Sequence, residues 1–286
     1  MRKHMLRPTP KGFDGRVGRI VTSEDGGPIR RIINGRSKRP TGTFTAIKAG
    51  GRAMPHESVE GELRAMWIAE AATCVRKMLA QPHRLEISVS GRSRPLLYFP
   101  DLLLEMDEAA ASRIVGGQPF AQAMFAEPEN MGGKYTRTVV LEIKTGADRR
   151  MEDAEYRLKL SLARKLYRGL GVVFAVVQAD PGLLAPDLSA VKRIVMNRHV
   201  AIDSRDIEIA ASRVQDGPVA LVDLAASLGS SHLGISKAFA LHVRRVISID
   251  LNGPVGPQTA IHRMKSAGTR RAPRSAVWPK EPYAKA

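Results

Sequence analysis

The stretch VVLEIKTG, residues 139–146, constrains this chain more than any other. It reads as an apolar β-strand, yet it carries a carboxylate, Glu142, and an ammonium group, Lys144, two positions apart. Strand side chains alternate between faces, so Glu142 and Lys144 share one face while Leu141 and Ile143 share the other. Either the strand lies at an exposed sheet edge, where such an ion pair is common and contributes little, or both charges serve a site.

The surroundings of that strand define an α/β core. PHESVEGELRAMWIAEAA predicts a helix, with Val59, Leu63, Met66, Trp67 and Ala71 at helical spacing. VRKMLAQP and HRLEISVSG read as extended segments, and PLLYFPDLLLEM as a strand run interrupted by Pro100 and Asp101. Residues 107–136, rich in Ala, Gly and Pro, read as an irregular loop insertion that either covers the site or contacts a partner. MEDAEYRLKLSLARKLYRGL then predicts an amphipathic helix and GVVFAVVQ a buried strand. This order implies a mixed sheet flanked by helices.

After residue 200 the pattern changes. SRDIEIAASRVQ, ALVDLAASLG and GISKAFALHVRRV read as three short helices, and ISIDLNGPVGPQTAIHR as two strands around a Gly/Pro turn. The combination is winged-helix-like, with a helical cap on the core as the alternative. Phe239, Leu241 and Val243 are expected in its core, with Lys237, Arg244 and Arg245 as candidate DNA-phosphate contacts.

Charge sets the two ends apart from this body. Of the formal +17, residues 1–53 contribute +10 and residues 263–286 contribute +6, leaving +1 for residues 54–262. The expected division is therefore a basic N-terminal arm, partly β or flexible (1–53), a catalytic domain (54–200), a winged-helix-like domain (201–262) and a basic disordered tail (263–286). Basic arms on a neutral body point to double-stranded DNA. No stretch is apolar for long enough to span a membrane and no signal peptide is evident, so a cytoplasmic, bacterial and nucleoid-associated protein is expected. With Cys74 as the single cysteine and the histidines scattered, any metal would be held by oxygen.

Asp101 interrupts an otherwise apolar run, where a carboxylate is costly unless bound. With Glu142 and Lys144 it spells Pro-Asp, spacer, Glu-x-Lys. Two carboxylates can hold Mg²⁺ (Mn²⁺ as substitute) against a scissile phosphate, and a lysine beside them can orient water or stabilise developing charge. YFPD with LEIK resembles the PD-(D/E)xK superfamily of restriction-like nucleases.

The longer series from ESVEGEL through VRKMLAQPHRLEI, YFPDLLLE and VVLEIK to GVVFAVVQ resembles the TnsA-like heteromeric transposase endonuclease subunits. Gln81-Pro82 matches that family's Gln-Pro element. The resemblance implies a restriction-endonuclease-like core and a catalytic set of Glu62, Asp101, Glu142 and Lys144, with metal on Asp101 and Glu142. Glu62 is the preferred helical carboxylate and Glu60 the alternative, because Val59 stands where the family has serine. Leu102 replaces the usual aromatic, and the spacing from Asp101 to Glu142 is longer than usual.

The resemblance also implies cleavage at the 5′ ends of a mobile element, with a DDE-type transposase and an AAA-type ATPase regulator as partners. Arg149 and Arg150, which open the following helix, are candidate contacts to the cleaved strand. The rival readings are a stand-alone restriction, repair or anti-phage nuclease, and a non-catalytic winged-helix DNA-binding regulator.

Overall fold

The computed structural model describes residues 2–6, 17–30, 41–133, 135–146, 152–265 and 277–278. The chain opens with strands β1 (Arg2–Leu6) and β2 (Val17–Thr22), then a hairpin of β3 (Gly42–Thr45) and β4 (Ala53–His56). A π-helical turn over Val59–Leu63 leads into α1 (Arg64–Ala71). Strands β5 (Val75–Ala80), β6 (Arg84–Ser88), β7 (Leu96–Tyr98) and β8 (Leu102–Asp107) follow. Helices α2 (Glu108–Val115) and α3 (Phe120–Phe125) precede β9 (Thr136–Lys144), α4 (Ala154–Gly169) and β10 (Val173–Gln178). Next come α5 (Ala179–Gly182) and α6 (Leu188–Met196).

The result is an α/β body with a mixed central sheet, ordered β10-β9-β8-β5. Strands β9 and β10 run parallel across the α4 connection, and the other neighbours are antiparallel. Leu102, Leu104, Leu141 and Ile143 face a core that includes α1, α2 and α3. Leu103 and Val140 face the opposite core, shared with α4 and with the second sheet, β1-β2-β6-β7. Strand β8 is apolar on both faces because both are covered. Strand β10, expected to be buried, is instead a half-buried edge strand, since nothing pairs with its outer side among the described residues.

Two adjacent corners join the sheets. Strand β5 lies in the central sheet and β6 in the second; β7 lies in the second and β8 in the central. The first crossing occurs at Gln81-Pro82-His83 and the other at Phe99-Pro100-Asp101. Proline lacks the N–H that a ladder requires, so pairing stops and the chain can turn from one sheet to the next. Gln81 completes its corner with a left-handed φ of 46°.

Three expectations are corrected. Residues 107–136 include two packed helices, with Phe120 and Met124 1% and 0% exposed. Ala109, Ala110 and Ala111 carried that signal, since alanine is the best helix former. The N-terminal region supplies part of the body, with Ile20, Val21, Phe44 and Ala46 buried, where a basic arm over residues 1–53 was expected. Likewise Val277 is buried and Trp278 packs on the second core, although residues 263–286 were expected to be a tail.

The C-terminal module contains α7 (Ser204–Arg213), β11 (Val219–Ala220), α8 (Leu221–Leu228), α9 (Ser231–Val243), β12 (Ile247–Ile249) and β13 (Ala260–Arg263). Its sheet has the order β11-β13-β12. Phe239, Leu241 and Val243 are buried, as expected. The close crossing of α8 and α9 requires Gly234, where a Cβ would sit 2.0 Å from the Ala225 carbonyl oxygen. Among the described residues, no helix is long and apolar enough to cross a membrane.

Candidate active site

Strand β9 lies between β8 and β10, so its charged face is internal. Glu142 is 4% exposed and Lys144 1%. An exposed edge-strand pair is therefore excluded. Lys144 Nζ donates to Glu142 Oε1 at 2.7 Å, and the Tyr98 hydroxyl donates to Glu142 Oε2 at 2.7 Å. The Tyr156 hydroxyl, from the first turn of α4, accepts from Lys144 and donates to Glu142. Burial and the Glu142 charge push the Tyr156 hydroxyl up to about 12, so it stays protonated at neutral pH.

Asp101, the residue before β8, reaches the same place. Its N–H bonds the Leu141 carbonyl at 3.1 Å, and its Oδ2 accepts from the Ile143 N–H at 2.7 Å. The carboxylate thus occupies the position of the next ladder rung, just where Pro100 ends regular pairing. Desolvation, followed by the negative charges of Glu142 and Glu62, holds the Asp101 carboxyl well above the usual carboxylate range. Lys144 and the Ile143 N–H offset only part of this.

Glu62 enters from the π-helical turn. Ser58 Oγ accepts from the Glu62 N–H at 3.0 Å, and Glu62 Oε2 accepts from the Glu57 N–H at 2.9 Å. This is a reciprocal cap, lengthened by one residue through the wider turn. Desolvation pushes the Glu62 carboxyl up to about 7; the Glu57 and Glu142 charges add to the shift and Arg30 opposes it. Gly61 brings the turn against the end of β9, because a Cβ there would lie 2.6 Å from both Ser58 Oγ and Thr145 Cγ2. Glu60 points outward, 68% exposed and paired with Arg64. An ideal α-helix would turn Glu60 closer to the apolar stripe, whereas the π-helical turn over Val59–Leu63 leaves it in solvent.

Glu62, Asp101, Glu142 and Lys144 are thus brought together, and Glu60 is not. Arg149 and Arg150 lie outside the described residues. The three cations expected to meet DNA from the C-terminal module point inward instead. Lys237 pairs with Asp206 at 2.7 Å, tying α9 to α7. Arg244 donates to the carbonyls of Arg198, Val200 and Ala240. Arg245 donates to the Thr73 carbonyl at 2.7 Å, next to buried Asp107. Each spends its donors on the protein, which a sequence cannot distinguish from a solvated face.

Sequence reasoning missed Tyr98 and Tyr156. Tyr98 opens the YFPD motif itself, and Tyr156 begins the apolar stripe of α4 and so reads as core; where either hydroxyl lies is set by the fold. Neither a family model nor a curated protein matches the chain significantly.

The donor set is suited to a hard divalent cation, since its ligand atoms are carboxylate oxygens and their mutual repulsion is incompletely offset. Among the described residues no three acidic, histidine or cysteine side chains converge closely enough to hold a metal by themselves. Mg²⁺ is commonly held by one or two carboxylates, with water and phosphate oxygens completing the shell. A pair such as Asp101 and Glu142 fits that pattern.

Proposed function

We propose that this protein is a divalent-metal-dependent DNA endonuclease with a restriction-endonuclease-like core and a winged-helix-like C-terminal module. The observation that carries the reading is the buried Glu142–Lys144 pair on a central strand, beside two further carboxylates whose protonation is raised by desolvation and by the Glu142 charge. Buried like charges are costly and persist where they are used.

In this reading Asp101 and Glu142 would hold Mg²⁺, and that ion would supply positive charge opposite the phosphate and make water a better nucleophile. Tyr98 and Tyr156 fix the Glu142 carboxylate. Lys144, sealed behind Glu142, supplies fixed positive charge to the site as negative charge grows on the phosphate oxygens. Glu62, with a carboxyl near 7, accepts the proton released as the water oxygen bonds phosphorus. The phosphorus–oxygen ester bond breaks, and the leaving oxygen takes a proton from solvent. Service at transposon 5′ ends beside a DDE-type transposase and an AAA-type ATPase rests on the motif series alone. A stand-alone nuclease would use the same site, because a fold does not fix a biological role.

Calorimetric titration with Mn²⁺, with and without a DNA duplex, tests the reading in a form that needs no partner. Wild type is expected to bind, and Asp101→Asn and Glu142→Gln to lose binding while remaining folded. Absence of binding in wild type with DNA present would refute it and leave a buried structural ion pair.

A further inference from the structure

Arg30 lies at the same corner and has no part in the mechanism above. The Ile29 N–H bonds the Gln81 carbonyl at 2.8 Å, laying this segment along the end of β5. Arg30 Nη1 donates to Gln81 Oε1 at 3.3 Å and Nη2 to Glu57 Oε1 at 2.9 Å. Its guanidinium sits over the Phe99 ring, 5.3 Å from the centroid. Glu57 in turn donates its N–H to Glu62, and Gln81 donates its N–H to the Asp101 carbonyl at 2.9 Å. Arg30 is thereby tied to two of the carboxylate-bearing segments.

The support around Arg30 is costly. Gln81 is fully buried in a left-handed conformation unusual for a residue with a side chain. Because Arg30 can only donate, the Gln81 oxygen must face it, which leaves Gln81 Nε2 buried without a hydrogen-bond partner. Strained backbone and unsatisfied buried donors are both costly, and strained residues cluster at functional sites. The Arg30–Glu57 pair is no structural compensation, since both side chains are exposed, 38% and 44%, and such pairs contribute little.

We propose that Arg30 binds a backbone phosphate of the cleaved DNA strand beside the scissile bond, with Gln81, Glu57 and Phe99 as its positioning residues. This rests on the nuclease reading. A strand approaching Glu62, Asp101 and Glu142 meets negative charge, and the Lys144 side chain is sealed at 0% exposure. Arg30 combines reach to solvent with an electrostatic effect on Glu62. Two of its five N–H donors are bound to Gln81 and Glu57, and the planar fork suits phosphate oxygens.

The test is duplex binding by the full chain, followed by fluorescence anisotropy across a salt series with Ca²⁺ replacing Mg²⁺. One lost phosphate contact should lower the slope of log K against log salt by about 0.9. Arg30→Ala is expected to show that decrease, while Arg30→Lys keeps the slope because it keeps the charge. Should Arg30→Ala fail to fold, Arg30→Gln, which preserves polar contacts to Gln81 and Glu57, is read in its place. An unchanged slope in a folded charge-removing variant overturns the proposal while leaving the nuclease reading intact. Failure of wild type itself to bind DNA removes both.

Discussion

Two regions of this molecule bury charge, and they do so in opposite ways. Where α1 ends, Lys48 Nζ donates to the carbonyls of Ala69 and Ala72, and Glu70 accepts the N–H groups of Ile47 and Lys48. His242 accepts the Ile249 N–H at Nδ1, so Nε2 carries the proton and donates to the Ala71 carbonyl. Asp107 accepts from Arg76, Gly132 and Gly133. Here each charge meets an opposite charge or a backbone dipole, and the carbonyls of Ala69, Ala71 and Ala72 at the helix end are satisfied. Where α1 begins, desolvation raises the Glu62 and Asp101 carboxyls, and the Glu142 charge adds to both shifts with incomplete relief. Burial of charge alone is therefore a poor sign of function; burial with unrelieved like charge is the informative one.

The contrast predicts opposite responses to deleting a carboxylate. The largest effect is expected for Asp107→Ala, which leaves two backbone N–H groups without their acceptor and Arg76 without its counter-charge. Removing one partner from such a buried network costs about 3–5 kcal/mol, read as a lower urea midpoint. The comparison breaks if Asp107→Ala is no less stable than wild type.

A smaller effect, of opposite sign, is expected for Glu62→Gln and depends on pH. Glu62 titrates at 4.5 when unfolded and near 7 when folded, so across that window the folded state binds more protons. Its contribution to stability is then present below 4.5 and lost as pH rises through 7. Glu62→Gln should therefore gain stability over wild type at pH 8 and little at pH 5. His242 works in the other direction. Desolvation, then the Lys48 charge, lowers it from 6.5 to about 3, so the folded state binds fewer protons and stability is lost as pH falls below 6.5. Urea midpoints at pH 5 to 8 for wild type, Glu62→Gln and His242→Gln separate the two. A Glu62→Gln difference that does not grow with pH would mean Glu62 is ionised throughout.

Much of the site was legible because it depends on strand parity and on proline. Alternation put Glu142 and Lys144 on one face, and Pro82 and Pro100 marked where pairing stops, which locates Gln81 and Asp101. What the sequence left open depends on partners distant along the chain. Lys237, Arg244 and Arg245 have the composition of a DNA-reading face, but Asp206, carbonyls at 198 and 200, and Thr73 claim them. Lys48 and Glu70 are separated by 22 residues, so no local pattern announces their contact. Tyr156 counted as core because its ring is apolar, and only the fold shows where its hydroxyl points.

The smallest expected effect is for Glu60→Gln. Glu60 and Glu62 share one turn and differ by two residues, yet Glu62 faces the carboxylates and Glu60 lies in solvent against Arg64. An exposed i,i+4 pair contributes about 0.3–0.5 kcal/mol, so Glu60→Gln should change the urea midpoint barely and Mn²⁺ binding not at all. The distinction depends on the π-turn, in which Leu63 bonds back to the Ser58 carbonyl at 3.0 Å. Were the segment to relax to an α-helix, with about 100° per residue, the two glutamates would change their bearing on β9. A loss of Mn²⁺ affinity in Glu60→Gln as large as in Glu62→Gln would show that the turn re-forms in solution, and with it which carboxylate the site uses.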